Sequence, residues 1–198
     1  MLIWINGAFG SGKTSAAYEL HRLLPGSFVY DPEEIGYLIR RNFPKEAGRD
    51  DFQDYASWRE CNYSLLKEIC SQYKGIVIAP MTLVVPQYFD EIVGRLRLDG
   101  IEVRHFALCA SPETVRARLK KRGEGSASWA AKQIERCTEA LADDRFREHL
   151  DTDGLSVTET VQRIAGACGL ELMPDRRSAV RRRLDRWKTQ WNHIRWFR

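Results

Sequence analysis

A glycine-rich segment near the start of the chain constrains the fold more than any other feature. Residues 7–14 read GAFGSGKT and match the pattern G-x-x-x-x-G-K-[ST] in full. The apolar residues 2–5 (LIWI) precede the segment and predict a strand, and residues 14–24 follow it with helical periodicity. Glycines let backbone N–H groups point inward at phosphate oxygens, and the next helix offers its positive N-terminus. The segment therefore predicts a binding loop for a nucleoside triphosphate.

The residue types in this segment have distinct tasks toward a bound phosphate. The Lys13 ammonium is expected to bridge the outer phosphates as a point charge, and the Thr14 hydroxyl is expected to ligate Mg²⁺. ATP and Mg²⁺ are therefore the expected cofactors. Nucleotide contacts are predicted along the whole segment, at Gly7, Ala8, Phe9, Gly10, Ser11, Gly12, Lys13 and Thr14.

Strands and helices alternate along the rest of the chain. The first, third and fourth strands are continuously apolar, as strands covered on both faces must be. The pattern predicts a three-layer α/β/α domain over residues 1–172 with a mainly parallel five-stranded sheet. Further strands are predicted at 27–30, 75–80, 102–110 and 148–152, and further helices at 33–42, 54–73, 87–98, 111–122, 129–142 and 156–168.

A carboxylate follows the second predicted strand. Asp31 lies where an acceptor hydroxyl would bind, so that it is a candidate base or magnesium partner. A helix N-cap, with Pro32 in the first turn and Glu34 as capping-box partner, is the alternative, and the two roles can coexist. The third strand ends without an acid, which disfavours a motor-type ATPase.

A run of basic residues is predicted to cover the phosphates. Arg118 and Arg122 are four residues apart and share one helix face. A glycine-rich break at 123–128 follows, and Lys132 and Arg136 repeat the four-residue spacing. The pattern predicts a lid that closes over a triphosphate and neutralises the transferred phosphoryl group. A solvated pair of basic helices is the alternative.

Further candidates lie on segments expected to face the acceptor. Aromatic rings among them would stack on a ring of the substrate or line a channel for an apolar chain. Packing in the core is the alternative for each one. The predicted substrate contacts are Arg40, Trp58, Arg59, Tyr63 and Thr82.

The last segment, residues 176–198 and here called the tail, is strongly basic. Its eight Arg, one Lys and one Asp sum to +8, so the rest of the chain sums to −4 of the net +4. A basic helix with an apolar stripe predicts binding to an anionic membrane surface. Docking on the protein's own core and pairing with a second subunit are alternatives, and nucleic-acid binding is a less favoured one. The stripe recurs at intervals of four and three at Val180, Leu184, Trp187, Trp191 and Ile194.

Cysteine and histidine usage adds a cellular context. The five cysteines are scattered without a C-x-x-C pair, which indicates unpaired thiols in a reducing cytoplasm, and the four isolated histidines do not indicate a zinc site. No stretch of about 18 apolar residues occurs, so that no membrane-spanning helix is predicted. The expected location is the cytoplasm with peripheral membrane association, and the oligomeric state stays open.

Segments spread over the whole chain resemble one bacterial family. The phosphate-binding segment, the carboxylate after strand two and the arginine lid resemble the small P-loop kinases, which include shikimate, gluconate and chloramphenicol kinases. More specifically, IWINGAFGSGKT, VYDPE, DDFQDY, NYSLL, PMT, SWAAKQIERC and NHIR resemble the tunicamycin resistance proteins. The resemblance implies an ATP-binding protein that protects against this nucleoside antibiotic and associates with the membrane through a C-terminal amphipathic helix. It also implies that Gly7 to Thr14 bind ATP, that Asp31 faces the acceptor and that Arg118 and Arg122 are lid arginines.

Together these features predict an enzyme that transfers phosphate from ATP, with Mg²⁺, to a hydroxyl of tunicamycin or a related amphiphile. Its catalytic residues would be Lys13, Asp31, Arg118 and Arg122. Three alternatives stay open. The protein would sequester the drug in an ATP-gated manner without turnover, phosphorylate another metabolite or antibiotic, or act as a nucleic-acid-handling ATPase.

Overall fold

Five parallel strands form the central sheet, as predicted. They are β1 (Leu2–Gly7), β2 (Ser27–Val29), β3 (Ile76–Pro80), β4 (Val103–Cys109) and β5 (His149–Asp151), in the spatial order β2-β3-β1-β4-β5. Strand β1 lies at the centre with all its residues buried, which explains its continuous apolar pattern. The structure is a computed structural model that describes the backbone of residues 1–193 and the side chains of residues 1–189.

The helices agree with the prediction except in two places. A π-helical turn, Asp90–Gly94, interrupts the predicted helix at 87–98. The predicted helix at 129–142 is two helices, because Gln133, with φ −92° and ψ −3°, ends the first of them. The described helices are α1 (Lys13–Leu23), α2 (Glu33–Asn42), α3 (Ala56–Gln72), α4 (Pro86–Phe89), α5 (Arg95–Leu98), α6 (Pro112–Lys121), α7 (Trp129–Lys132), α8 (Ile134–Leu141), α9 (Val157–Ala167) and α10 (Ala179–His193).

The side chains of β1 alternate between two hydrophobic cores. Leu2 and Trp4 pack in the core that α3 and α8 cover, and Ile3 and Ile5 pack in the core that α1 and α9 cover. The three-layer arrangement is therefore confirmed. Burial of one such side chain contributes about 1.5–3 kcal/mol, so the two cores hold the end of β1, and the loop that follows it, in place.

Helix α6 begins as the sequence predicts. The Ser111 hydroxyl accepts a hydrogen bond from the Thr114 N–H at 3.3 Å, and Pro112 stands in the first turn. This cap sets the start of the helix that carries Arg118 and Arg122.

The tail is attached to α1 by an ion-pair network. The fully buried Glu19 carboxylate of α1 accepts a hydrogen bond from Arg177 at 2.5 Å. The same guanidinium donates to Asp175 at 2.8 Å and to Asp185 of α10 at 3.0 Å. Helix α10 therefore lies against α1, with its acidic residue directed at the network.

The apolar stripe of α10 faces away from this network. Val180, Leu184 and Trp187 are 69%, 55% and 60% exposed. The side chain of Trp191 and the whole of Ile194 lie outside the described residues. Within the part of the chain that the structure describes, no helix has the length and apolar character needed to cross a membrane.

Candidate active site

The segment GAFGSGKT (7–14), here called the phosphate loop, forms the turn between β1 and α1. The Ser11 N–H donates to the Ala8 carbonyl at 3.0 Å and closes the turn. Two positions require glycine: Gly12 has φ 103°, and a Cβ on Gly7 would lie 2.4 Å from Ser11 Oγ. The loop leads directly into the N-terminus of α1, where phosphate is bound favourably.

Lys13 is a buried ammonium at the base of the phosphate loop. Its Nζ donates to the Ala8 carbonyl at 3.1 Å and lies 5.4 Å from the centre of the Phe9 ring. Burial lowers the pKa of Lys13 to about 8, and the Glu33 carboxylate opposes this shift. Among the described residues it forms no ion pair, and a buried cation without a partner is costly. The site is therefore suited to an anion that comes from outside the chain.

Two further groups of the loop fit a nucleotide. The buried Ser11 Oγ has no hydrogen-bond partner among the described residues. Thr14 is half-buried in the first turn of α1, next to Lys13 in sequence. A hydroxyl there suits Mg²⁺, which prefers oxygen ligands and usually shares them with substrate phosphates. The residues present therefore fit ATP and Mg²⁺.

A cavity of about 290 Å³, here called the arginine cleft, opens on one side of the phosphate loop. Arg118 lines it and donates to the Ser11 carbonyl at 3.0 Å and to the Thr152 carbonyl at 2.8 Å. Arg118 thus ties α6 to both the loop and the end of β5. The remaining lining residues are Gly10, Gly12, Ser15, Ala16, Leu108, Lys121, Arg122, Leu155, Val157 and Thr160.

Arg122 stands one turn after Arg118 on the same cleft, as the predicted helix face requires. Burial lowers the pKa of its guanidinium; Glu124 raises it and Arg118 lowers it further. Two neighbouring cations in a partly buried cleft disfavour each other unless an anion is bound. The structure thus brings Lys13, Arg118 and Arg122 together around the phosphate loop.

A second cavity, of about 280 Å³ and here called the carboxylate cleft, opens on the other side of the loop. Arg40 is the predicted substrate residue that lines it; its guanidinium donates to the Asp50 carbonyl at 2.5 Å. The remaining lining residues are Phe9, Glu33, Tyr37, Asp50, Asp51, Phe52, Gln53 and Trp129.

Of the carboxylates of Asp31 and Glu33, that of Glu33 lines this cleft and that of Asp31 does not. Asp31 is half-buried at the end of β2, and its Oδ1 accepts a hydrogen bond from the Glu33 N–H at 3.0 Å. This bond lies just before the helix, whose N-cap residue is Pro32 and has no side-chain cap hydrogen bond, so the predicted capping box of Asp31 and Glu34 is not seen. Glu33 lines the cleft and is the charged group with the largest effect on the pKa of Lys13.

Three other predicted substrate residues lie behind the wall of the carboxylate cleft. The Thr82 hydroxyl donates to the Gly7 carbonyl at 2.8 Å, and Arg59 donates to the Gln53 carbonyl at 2.6 Å. Trp58 is fully buried, with its indole N–H donating to the Pro32 carbonyl at 3.0 Å. These contacts favour packing and support of the cleft wall over direct contact with a ligand.

Tyr63 lies elsewhere. It lies near the middle of α3, and its hydroxyl donates to Asp99 at 2.6 Å, next to Lys67. Neither partner lines either cleft. Its position also favours packing.

Several lining residues were missed by sequence reasoning. Glu33 and Tyr37 are two of them; with Arg40, which was predicted, they are spaced i, i+4 and i+7 on one face of α2, and this spacing was an available signal. Asp51 and Phe52 belong to a non-periodic loop, and Trp129 comes from a distant segment. Only the tertiary fold brings Asp51, Phe52 and Trp129 to one cleft. There the Trp129 ring also contacts the Phe9 ring of the phosphate loop, with ring centres 4.8 Å apart.

The sheet order, the phosphate loop and the two clefts define a class of protein. A parallel sheet whose central strand runs into a lysine-bearing glycine loop, with a second cleft beside it, is typical of ATP-binding, kinase-like P-loop proteins. Residues 2–147 match the family described as an AAA domain, and no curated protein matches the chain significantly.

The solved structures narrow this class to a family. The tunicamycin resistance protein of Deinococcus radiodurans is 33% identical, with a TM-score of 0.76 over 87% of this chain and 98% of that one. The chain belongs to the tunicamycin resistance protein family, within the larger AAA-domain family. Two kinases share its fold. A gluconokinase from Sinorhizobium meliloti is 17% identical, with a TM-score of 0.61 over 84% of this chain and 90% of that one. A shikimate kinase from Bacteroides thetaiotaomicron is also 17% identical, with a TM-score of 0.59 over 86% of this chain and 99% of that one.

Proposed function

We propose that this protein transfers the γ-phosphoryl group of ATP to a hydroxyl of tunicamycin or a related amphiphile. One observation carries the proposal: Lys13 lies between the two clefts, because its Nζ is 5.4 Å from the centre of the Phe9 ring, which lines the carboxylate cleft, and the adjacent Gly12 lines the arginine cleft. A triphosphate in the arginine cleft would end at Lys13, opposite an acceptor in the carboxylate cleft. In-line transfer needs this juxtaposition. Membership of a family with a tunicamycin resistance protein supports the choice of substrate.

The proposed reaction makes one bond and breaks one. The acceptor oxygen attacks the γ-phosphorus, the bond to the β,γ-bridging oxygen breaks, and ADP leaves with that electron pair. The hydroxyl proton passes to a carboxylate. Lys13 and Arg122 would offset the negative charge on the phosphate oxygens, and Arg118 would keep the loop and α6 in register.

Mg²⁺ would be held by the Thr14 hydroxyl together with phosphate oxygens of the nucleotide. When bound, it neutralises charge on the transferred group. The half-buried position of Thr14 beside Lys13 supports this assignment.

Two carboxylates are candidates for the base. Asp31 stands two residues after the end of β2, whereas Glu33 lines the carboxylate cleft. Asp31→Asn and Glu33→Gln keep the shape of each side chain, so loss of the base should lower kcat by about 10²–10⁴-fold in one variant with little change in Kd for ATP. If neither variant loses turnover, neither Asp31 nor Glu33 is the base.

The tail is proposed to bind an anionic membrane surface, where an amphiphilic substrate would accumulate. The exposed stripe of Val180, Leu184 and Trp187 beside basic residues supports this. Leu184→Ser combined with Trp187→Ser should reduce pelleting with phosphatidylserine vesicles, whereas Leu98→Ser, which alters an 88% exposed leucine elsewhere, should not. Equal pelleting of all proteins would contradict the assignment.

Mass spectrometry of tunicamycin after incubation with protein, ATP and Mg²⁺ tests the proposed reaction. We expect a product with one added phosphate that is absent with Lys13→Ala. Unmodified drug that binds only in the presence of ATP would instead indicate a sequestering protein. Unmodified drug that does not bind would favour a kinase for another small molecule.

A further inference from the structure

A buried amide lies at the point where β1 passes into the phosphate loop. Asn6 carries the last side chain of β1 before Gly7, and none of its surface is exposed. Its Oδ1 accepts hydrogen bonds from the Gly7 N–H at 2.8 Å and the Leu83 N–H at 2.9 Å, and its Nδ2 donates to the Leu83 carbonyl at 2.7 Å. Because Oδ1 meets two donors and Nδ2 meets a carbonyl, these partners determine the orientation of the amide. One side chain therefore joins the loop to the segment that follows β3.

The second N–H of this amide is directed at a buried histidine of β4. His105 Nε2 lies 3.3 Å from Asn6 Nδ2, and His105 Nδ1 lies 3.1 Å from the Arg147 carbonyl. A carbonyl only accepts hydrogen bonds, so Nδ1 carries the proton, and the bare Nε2 of the neutral ring accepts from Asn6. Burial lowers the pKa of His105 to about 4, so the ring is neutral near pH 7. All four hydrogen-bonding positions of the Asn6 amide are therefore used.

Thr82, next to Leu83, holds the same glycine from its other side. The Thr82 hydroxyl donates to the Gly7 carbonyl at 2.8 Å, and the Thr82 carbonyl accepts from the Gln53 side chain at 3.1 Å. Gln53 lines the carboxylate cleft. Both backbone groups of Gly7 are thus bonded within the chain, and this glycine is connected to the wall of the carboxylate cleft.

The network acts on the phosphate loop from behind. Neither Asn6 nor His105 is among the described residues that line the two clefts. A buried polar network is rigid when every member is satisfied, and it is costly to leave one member without its partner. Backbone donors bind an anion best when their positions are fixed before the anion arrives. The bonds to Gly7 fix the start of the loop in this way.

We propose that Asn6 is a positioning residue that fixes the start of the phosphate loop for a triphosphate, and that His105, with its proton on Nδ1, holds the Asn6 amide in the required orientation. Both side chains act through Gly7 and not by contact with the nucleotide. This inference rests on the proposed function only in taking the phosphate loop as the ATP site.

The affinity for a non-hydrolysable ATP analogue, AMP-PNP, tests the inference by calorimetry with the full chain and Mg²⁺. His105→Phe keeps a ring beside Phe89 and Phe146 but removes the acceptor. We expect its affinity to fall by about three- to tenfold. His105→Gln offers an amide oxygen to Asn6 and should restore the affinity to within about twofold of the native value. Unchanged affinity in His105→Phe, or no recovery in His105→Gln, would overturn the inference.

A matched control separates positioning from a general loss of stability. Phe146 is fully buried, and its ring centre lies 6.2 Å from that of His105. Phe146→Leu therefore disturbs the same core but leaves the four bonds of Asn6 in place. It should lower Tm and keep the native affinity for AMP-PNP. If affinity instead falls in step with Tm across the three variants, His105 is merely structural and the inference is wrong.

A double variant shows whether His105 acts through Asn6. Asn6→Ala leaves the Gly7 N–H without its acceptor and should weaken AMP-PNP binding more than His105→Phe does. Asn6→Ala combined with His105→Phe should bind AMP-PNP as Asn6→Ala alone does, because the group that His105 orients is already gone. Additive losses would show that His105 affects the loop by another route, which contradicts the inference.

A measurement on the native chain needs no variant to fold. In a protein labelled with ¹⁵N at histidine, nuclear magnetic resonance should show His105 with a protonated Nδ1 and a bare Nε2 at pH 7. A proton on Nε2, or a charged ring, would deprive the Asn6 amide of its acceptor and overturn the inference.

These outcomes are separable from that of the proposed reaction, because neither calorimetry nor resonance needs turnover. A chain that never phosphorylates tunicamycin but shows the expected losses would contradict the transfer and support the inference. A chain that phosphorylates tunicamycin while His105→Phe binds AMP-PNP normally would do the reverse. A native chain that does not bind AMP-PNP would contradict both.

Discussion

Helix α1 buries two charged side chains, and their surroundings differ. Lys13 is 8% exposed and forms no ion pair with a described residue, whereas the fully buried Glu19 is bonded to Arg22 at 2.6 Å and to Arg177 at 2.5 Å. A buried charge is tolerated when it is compensated. Glu19 is compensated within the chain, which marks it as structural. Lys13 has one carbonyl acceptor and the electrostatic influence of Glu33 but no ion pair among the described residues, which indicates that its charge serves a ligand.

The largest expected effect comes from removing the charge of Lys13. Lys13→Met keeps the buried methylene stem but loses the ammonium, so we expect phosphoryl transfer to fall by about 10³-fold or more. Because an uncompensated buried charge is also removed, the free energy of unfolding should stay equal or rise. Turnover and urea denaturation of the same preparation measure both. A strongly destabilised variant would show that Lys13 is structural after all.

The second largest effect is expected from breaking the ion pair between the buried Glu19 and Arg177. Arg177→Met leaves Glu19 with Arg22 alone and also removes the bond that helps lower the pKa of Asp175 to about 2. We expect the free energy of unfolding to fall by about 3 kcal/mol, which lowers Tm by roughly 6–12 °C for a chain of this size. The Kd for ATP in the folded protein should hardly change.

A double variant controls for the lost side chain itself. Glu19→Met combined with Arg177→Met removes both charges together, so much of the stability should return. If the double variant is as unstable as Arg177→Met alone, packing of the arginine stem rather than the ion pair holds the tail.

Features that depend on a local pattern could be predicted from the sequence, whereas features that depend on contacts between distant segments could not. The phosphate loop and the parallel sheet were predictable, because Gly7 to Thr14 form a local pattern and buried strands are continuously apolar. Arg118 and Arg122 were predictable as a pair since one helix face carries both. The carboxylate cleft was not, because Asp51 and Trp129 meet only through the tertiary fold. Nor was the pairing of Glu19 with Arg177, which no periodicity links across the chain.

The pH dependence of nucleotide binding follows from the burial of Lys13. With a pKa of about 8 in the free protein, its ammonium is present below pH 8 and is lost as the pH rises through this value. A bound phosphate favours the charged form. Affinity for ATP should therefore be flat below pH 8 and fall by up to about tenfold per pH unit above it, with proton uptake on binding. Calorimetry in two buffers of different ionisation enthalpy detects this uptake.

Above pH 8, where the affinity for ATP falls, the contribution of Lys13 to the free energy of unfolding should rise. Between pH 8 and the ordinary lysine value of 10.5, the unfolded chain holds the Lys13 proton and the folded chain has released it. The unfolded state then binds more protons, so the contribution of Lys13 to the free energy of unfolding rises with pH. Lys13→Met should lack both trends; if it keeps them, another group titrates.

The smallest expected effect separates the two partners of Glu19. The Arg22 side chain is 32% exposed, and that of Arg177 is 18% exposed and bonded to three carboxylates. Because Arg22 is the more exposed partner, water can replace part of its interaction with the Glu19 carboxylate. Arg22→Met should therefore lower the free energy of unfolding by only roughly 0.5–1 kcal/mol. Chemical denaturation of Arg22→Met beside Arg177→Met measures the difference. A larger loss in Arg22→Met would mean that Glu19 is compensated mainly within α1, and that the tail is held by its other contacts with the domain.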